Sequence, residues 1–375
     1  MAAASPDLPE PDRIEGAPHP RETQNIFGQD AAQAAFLEAF NSGRLHHGWL
    51  ITGPKGVGKA TLAWHIARFL LTTPVETGDS LFGAPAAPTS LAIAPDHPIE
   101  HRLQALSEPG LFLLRRGPND KGDKLAADIL VGEVRKLKNF FGLSAADGGR
   151  RVVIVDAADE MNVSAANALL KVLEEPPANT TLMLVCHQPS RLLPTIRSRC
   201  RELRLSTLSP DDMHQALDQA GVSQIPNPAA LAELSAGSVG EALRLLNLKG
   251  LEIYQELVGL YSSLPKMDRA RALKLAEAAA ARGAEARLDL LLSLNDLLLA
   301  RLARTGALGA APATEAVPGE GDLLQRLAPT PHHGRAWADL QQEIGARTRH
   351  GRAVNLDPVA LILDTVFKIQ KTATG

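Results

Sequence analysis

The chain has 375 residues, more than the ~100–200 of one ordinary domain, so two or three domains are expected. Its 45% hydrophobic and 22% charged residues exclude a largely disordered chain, and its formal charge of −3 excludes a strongly basic, free-standing nucleic-acid binder. Two cysteines, Cys186 and Cys200, are too few for a four-cysteine zinc site and are expected to be buried thiols.

The first two dozen residues, with Pro6, Pro9, Pro11, Pro18 and Pro20 among small and charged neighbours, read as a flexible N-terminal segment, 1–24. They lack the charged, apolar, small-residue order of a secretory signal, and no run approaches the ~18 apolar residues of a membrane span. A cytoplasmic protein with no membrane partner is expected.

From Asn25 to Leu205, β-rich runs alternate with helical patterns, the signature of a parallel α/β sheet. The predicted strands are Gly48 to Thr52, Leu111 to Arg115, Arg151 to Val155, Thr181 to Cys186 and Glu202 to Leu205. Leu62, Ile66, Phe69 and Leu70, and then Leu130, Val134, Leu137 and Phe141, recur at helical spacing and should face the sheet. Thr72 to Pro98 has no sustained period and reads as a surface insertion. Ser164 is a candidate cap for a helix carrying Leu169, Leu170, Val172 and Leu173, which the pair Pro176-Pro177 ends.

Beyond Leu205 the strand signal stops. Ser209-Pro210-Asp211-Asp212 supplies an N-cap, a proline at N1 and acidic residues in the first turn. A small helical domain, 206–249, follows, with a second helical part over Ala229 to Leu246. The third region, 250–375, is helical, interrupted by a low-complexity loop from Gly306 to Gly321. It ends in a helix from Asp357-Pro358 that carries Val359, Leu361, Ile362, Val366 and Phe367.

Gly53-Pro54-Lys55-Gly56-Val57-Gly58-Lys59-Ala60-Thr61 has the G-x-x-x-x-G-K core of a phosphate loop, set between a strand and a helix as the chemistry requires. Gly53, Gly56, Gly58 and Lys59, with Thr61 beside them, are the candidate nucleotide-binding residues. The next position should carry a hydroxyl to hold magnesium, and it is Ala60. Thr61 lies about 100° further round the helix and does not replace it. Arg151 to Asp156 reads as a buried strand ending in a metal-supporting carboxylate, followed by Ala157 where a water-activating glutamate would stand. Asp159 and Glu160 are displaced by two and three residues. No resident metal is predicted, and whether ATP or ADP still binds is left open.

Asn167 to Pro177 (NALLKVLEEPP), followed by Ser198-Arg199-Cys200, closely resembles the signature of the bacterial clamp-loader AAA+ family. The resemblance implies an AAA+ P-loop α/β domain over 25–205, a small helical lid over 206–249 and an all-α collar over 250–375. It further implies that Arg199 acts in trans on ATP bound by a neighbouring subunit. The family's sensor arginine corresponds to Gly240 within Gly237 to Leu243, and Cys186-His187 stands where active members tend to have threonine.

These departures favour the delta-prime type, hydrolysis-deficient and partnered by gamma/tau and delta subunits in a hetero-pentamer that loads a sliding clamp onto primed DNA. Many members carry a zinc module after the phosphate-loop helix; here Thr72 to Arg115 has no cysteine, and no zinc is predicted. Lys121, Lys124, Arg135, Lys136 and Lys138 are candidate DNA-backbone contacts, although such a run is more often a solvated face. The rival readings are an ATP-hydrolysing subunit of gamma/tau type that uses Thr61 with Asp159 or Glu160, and an unrelated P-loop NTPase.

Overall fold

The computed structural model describes residues 10–74, 87–94, 96–119, 121–143 and 149–374. Of the expected surface insertion, 75–86 and 95 lie outside the described residues, as do Pro6 and Pro9. Chain contacts divide the molecule into two compact units, 1–223 with 237–240 and 224–236 with 241–375.

The first unit contains α1 (Asp30–Asn41), β1 (Gly48–Thr52), α2 (Lys59–Thr72), α3 (Pro98–Gln104), β2 (Leu111–Arg115) and α4 (Val131–Leu143). It continues through β3 (Arg151–Asp156), α5 (Val163–Glu174), β4 (Thr180–Val185), α6 (Pro194–Arg197), β5 (Arg201–Arg204) and α7 (Pro210–Gln219). All five strands run parallel in the order β2-β3-β4-β1-β5, the parallel α/β sheet that the sequence predicts. Each predicted strand is present, displaced by at most one residue.

Alternation places Leu50, Val153, Val155, Leu182 and Leu184 in a core with Val134 and Leu137 of α4 and Leu169 and Leu173 of α5. The intervening Trp49, Ile51, Val152, Ile154 and Met183 are equally buried, so β1, β3 and β4 are covered on both sides. Leu62, Ile66, Phe69 and Leu70 of α2 are buried as their spacing predicts. Leu130 lies just before α4 rather than in it. The cap of α5 is Asn162, whose side chain accepts from the Ala165 N–H, two residues before the predicted Ser164. Ser209 caps α7 as expected, accepting from the Asp212 N–H.

The N-terminal segment departs from its sequence reading. Residues 10–24 are packed: His19 is fully buried 3.1 Å from Asp12, with its ring edge-on to Trp64 at 5.9 Å. Arg115 at the end of β2 reaches Asp12 at 2.5 Å and Glu10 at 3.2 Å, and Arg21 pairs with Glu10 at 2.6 Å. Proline-rich composition reports weak local structure, whereas these residues are fixed by charges a hundred positions away.

The second unit is entirely helical: α8 (Pro228–Ser235), most of α9 (Val239–Asn247), α10 (Gly250–Ser262), α11 (Arg269–Ala280), α12 (Glu285–Leu308), α13 (Glu320–Leu327), α14 (Pro331–Ala353) and α15 (Pro358–Thr374). The single helical part predicted over Ala229 to Leu246 is broken in two, because Ala236 (φ 48°) and Gly237 (φ 74°) adopt the left-handed conformation. Nor does the predicted loop begin at Gly306. That glycine lies within α12, where a Cβ would come 2.6 Å from the Cα of Gly334 in α14, so two glycines permit a close helix crossing. Glu320 at the start of α13 is buried and accepts from Arg301 at 2.6 Å and Tyr254 at 2.5 Å. In α15, Leu361, Ile362 and Val366 are buried whereas Phe367 is 43% exposed.

Burial pushes the imidazole of His65 on α2 down to about 4, helped by neighbouring Arg68 and opposed by its contact with the Thr23 carbonyl. The unfolded chain therefore binds the proton first, between about pH 6.5 and 4, and the stability associated with neutral His65 is complete above 6.5 and lost on acidification. Denaturant unfolding should show a loss of about 2 kcal/mol between pH 6.5 and 5 that is smaller in His65→Gln.

Candidate phosphate loop and interface arginine

The loop between β1 and α2 is shaped by its glycines. Gly53, Gly56 and Gly58 have φ of 140°, 80° and 98°, in the region that L side chains avoid. A Cβ on Gly53 would meet the Leu205 carbonyl oxygen at 2.5 Å, and one on Gly56 the Ser238 Oγ at 2.4 Å. Lys59 is buried and its Nζ donates to the carbonyls of Gly53 and Pro54. Burial lowers its ammonium to about 8, opposed by Asp156 and Asp159.

Contacts distant in sequence hold the loop in place. The buried carboxamide of Gln29 donates to the carbonyls of Val57 (3.2 Å) and Ser206 (2.9 Å) and accepts from the Ser206 N–H. Ser238 Oγ donates to the Lys55 carbonyl at 2.8 Å, and the Gly240 N–H to that of Gly56 at 3.1 Å. Neither Gln29 nor Ser238 was legible as a loop partner, since each acts through one side chain from a remote segment. Gly240 also has a packing reason to be glycine: a Cβ there would lie 2.8 Å from the Gly56 Cα and 3.0 Å from Ile14 Cδ1. Any side chain at this position requires the two backbones to separate.

The loop geometry fits a phosphate group, while the metal-ligand set does not. Ala60, the second residue of α2, carries no hydroxyl, and among the described residues no group of three or more His, Cys, Asp and Glu is placed to hold a metal ion. Asp156, at the end of β3, is raised to about 7 by burial, then by the charges of Asp12 and Glu160. The two displaced carboxylates are engaged. Asp159 is buried, its Oδ1 accepting from the His187 N–H at 2.9 Å and its Oδ2 from the Gln188 N–H at 3.1 Å. Glu160 pairs with Arg116 at 2.8 Å. His187, two residues past β4, is pushed down to about 4 by burial and by Lys59.

Arg199 stands in the turn after α6, remote from this loop. Its carbonyl would lie 3.1 Å from a Cβ on Gly48, the first residue of β1, and β5 opens two residues later with Arg201 opposite Trp49. The phosphate loop leaves the other end of β1, so the two sites are separated by roughly the strand's length, about 17 Å at ~3.3 Å per residue. Its guanidinium is 38% exposed, contacting Glu174 at 2.9 Å and the Thr195 carbonyl at 3.1 Å. Arg197 is exposed, and Arg201 lies over the Trp49 ring at 5.3 Å. Lys121, Lys124, Arg135, Lys136 and Lys138 are all exposed, with Lys136 paired to Glu133 at 2.6 Å. Cys186 and Cys200 are free thiols, both pushed up to about 12 by burial.

A family profile described as "DNA polymerase III, delta subunit" matches residues 28–209. The chain is similar to DNA polymerase III subunit delta' of Pseudomonas aeruginosa, 35% identical over 226 residues that cover 59% of this chain and 61% of that one. It is 34% identical to subunit delta' of Escherichia coli over 215 residues, covering 56% and 57%. It is also 29% identical to subunit gamma/tau of Mycobacterium tuberculosis over 214 residues, covering 54% and 32%. The chain thus spans about three fifths of the length of the curated delta' relatives it matches. Among the described residues, no helix is long and apolar enough to cross a membrane.

Because Asp159 satisfies two backbone donors, its removal should destabilise the fold: Asp159→Ala should lower the unfolding free energy by about 2–3 kcal/mol in denaturant titration. Glu160→Ala, which breaks a partly exposed pair, should cost less than about 1 kcal/mol.

Proposed function

We propose, from the match of residues 28–209 to the DNA polymerase III delta-subunit profile, that the chain is a delta-prime type subunit of the bacterial clamp loader. In this reading it joins gamma/tau and delta subunits in a hetero-oligomer that places a sliding clamp on primed DNA, and it donates Arg199 to ATP held by a neighbour. The lid (206–249) and collar (250–375) are the parts we assign to ring assembly.

The observation that carries this reading is the position of Arg199. It lies at the N-terminal edge of the sheet, whereas the phosphate loop of the same chain lies at the C-terminal edge, farther away than an arginine side chain extends. An arginine so placed can act on a phosphoryl group only if another subunit brings that group to it. A guanidinium supplied in trans neutralises charge on the transferred phosphoryl, worth about 10³–10⁵ in rate in other systems.

The chain's own hydrolysis is disfavoured on the same physical grounds. Ala60 offers magnesium no oxygen, Ala157 cannot activate water, and Gly240 has no side chain to reach a γ-phosphate. Asp159 and Glu160, the substitutes that a gamma/tau-like ATPase would need, are bound to backbone donors and to Arg116. The exposed faces of Arg135 and Lys138 suit contact with the DNA backbone inside the ring.

In a loader reconstituted from this chain with gamma/tau and delta subunits, Arg199→Ala should lower clamp- and DNA-stimulated turnover at the adjacent ATP site by about 10³ or more. Assembly in gel filtration should be unchanged, and Arg197→Ala should have little effect. Turnover by the isolated chain that Lys59→Ala abolishes would contradict the hydrolysis-deficient reading.

A further inference from the structure

The packed N-terminal segment lies beside the phosphate loop. Asp12 is held by Arg115 at 2.5 Å, and Arg115 is paired in register with Asp156, the metal-supporting position on β3. Two residues later, the Ile14 side chain packs toward Gly240, whose N–H donates to the Gly56 carbonyl. Its Cδ1 would lie 3.0 Å from a Cβ on Gly240, a position itself only 2.8 Å from the Gly56 Cα. Residues 12–14 therefore run from the end of β3 to the crown of the phosphate loop.

This short stretch is anchored on both flanks. Upstream, Glu10 pairs with Arg115 at 3.2 Å and Arg21 at 2.6 Å. Downstream, Arg13 Nε donates to the Ala17 carbonyl at 3.2 Å, and His19 pairs with Asp12 at 3.1 Å, both side chains almost wholly buried. Beyond these, Arg68 of α2 donates to the Thr23 carbonyl at 3.0 Å and also to that of Arg21. Ile14 is 38% exposed, a large apolar side chain kept near the surface with Gly240 and Gly56 beneath it.

We propose that residues 10–22 form an internal strap across the mouth of the phosphate loop, and that a nucleoside triphosphate binds there only in competition with it. The inference rests on the reading of residues 53–59 as a phosphate loop and is independent of any role for Arg199. Competition lowers apparent affinity by the fraction of molecules whose strap is open, so releasing the strap raises affinity by the inverse of that fraction.

The test is equilibrium binding of a fluorescent ATP analogue, with and without magnesium, to the full-length chain and to Asp12→Ala/Ile14→Ala, each with and without Lys59→Ala. The strap predicts at least about ten-fold tighter binding by the double variant, abolished by Lys59→Ala. Equal affinities that both depend on Lys59 would overturn the strap and leave the phosphate-loop reading standing. No binding by either protein, or binding indifferent to Lys59, would overturn both. Should the double variant fail to fold, hydrogen exchange of the wild-type chain decides. Saturating ATP should accelerate exchange at residues 10–24, and unchanged or slower exchange there would overturn the strap.

Discussion

The direction of β1 is the constraint on which the rest depends. In a parallel sheet every strand delivers its following loop to the same edge, and the loop after β1 is the phosphate loop. The turn before β5 necessarily falls at the opposite edge, and it carries Arg199. One strand therefore separates the glycine-shaped loop from Arg199, the two features to which the proposal gives ATP binding and, for a neighbour, ATP completion. In the proposed assembly the arginine would serve only the face away from its own loop.

On the loop side, Asp159 and Gly240 both serve packing. Asp159 holds the end of β4 through two backbone N–H groups, the contact expected of a buried carboxylate that must satisfy its acceptor capacity locally. Gly240 allows the backbone of residues 237–240 to bond directly to the loop, an approach that any side chain would prevent. On the other face, Arg199 keeps only exposed contacts with Glu174 and the Thr195 carbonyl, which another subunit could replace at little cost.

Much of this was legible in the sequence because the signals were local and periodic. Strand alternation, the glycine spacing of residues 53–58 and the Ser209 cap each depend on neighbours within a few positions. The fixed N-terminal segment was not legible: Asp12, His19 and Arg115 form a buried cluster only once residues a hundred apart meet. Gly306 looked like part of a low-complexity loop because its reason for being glycine, the Gly334 backbone, lies on another helix. Arg199 is singled out by its motif alone, and the sheet direction adds that it lies at the edge away from the chain's own loop. The cap at Asn162 rather than Ser164 reflects two suitable side chains in neighbouring positions, between which composition does not choose.

The most direct measurement is a structure of the assembled complex with a non-hydrolysable ATP analogue. The account predicts the Arg199 guanidinium within hydrogen-bonding distance of the γ-phosphate on an adjacent subunit, with its contact to Glu174 broken. Arg199 still paired with Glu174 and facing solvent, with that phosphate completed by some other residue, would contradict it.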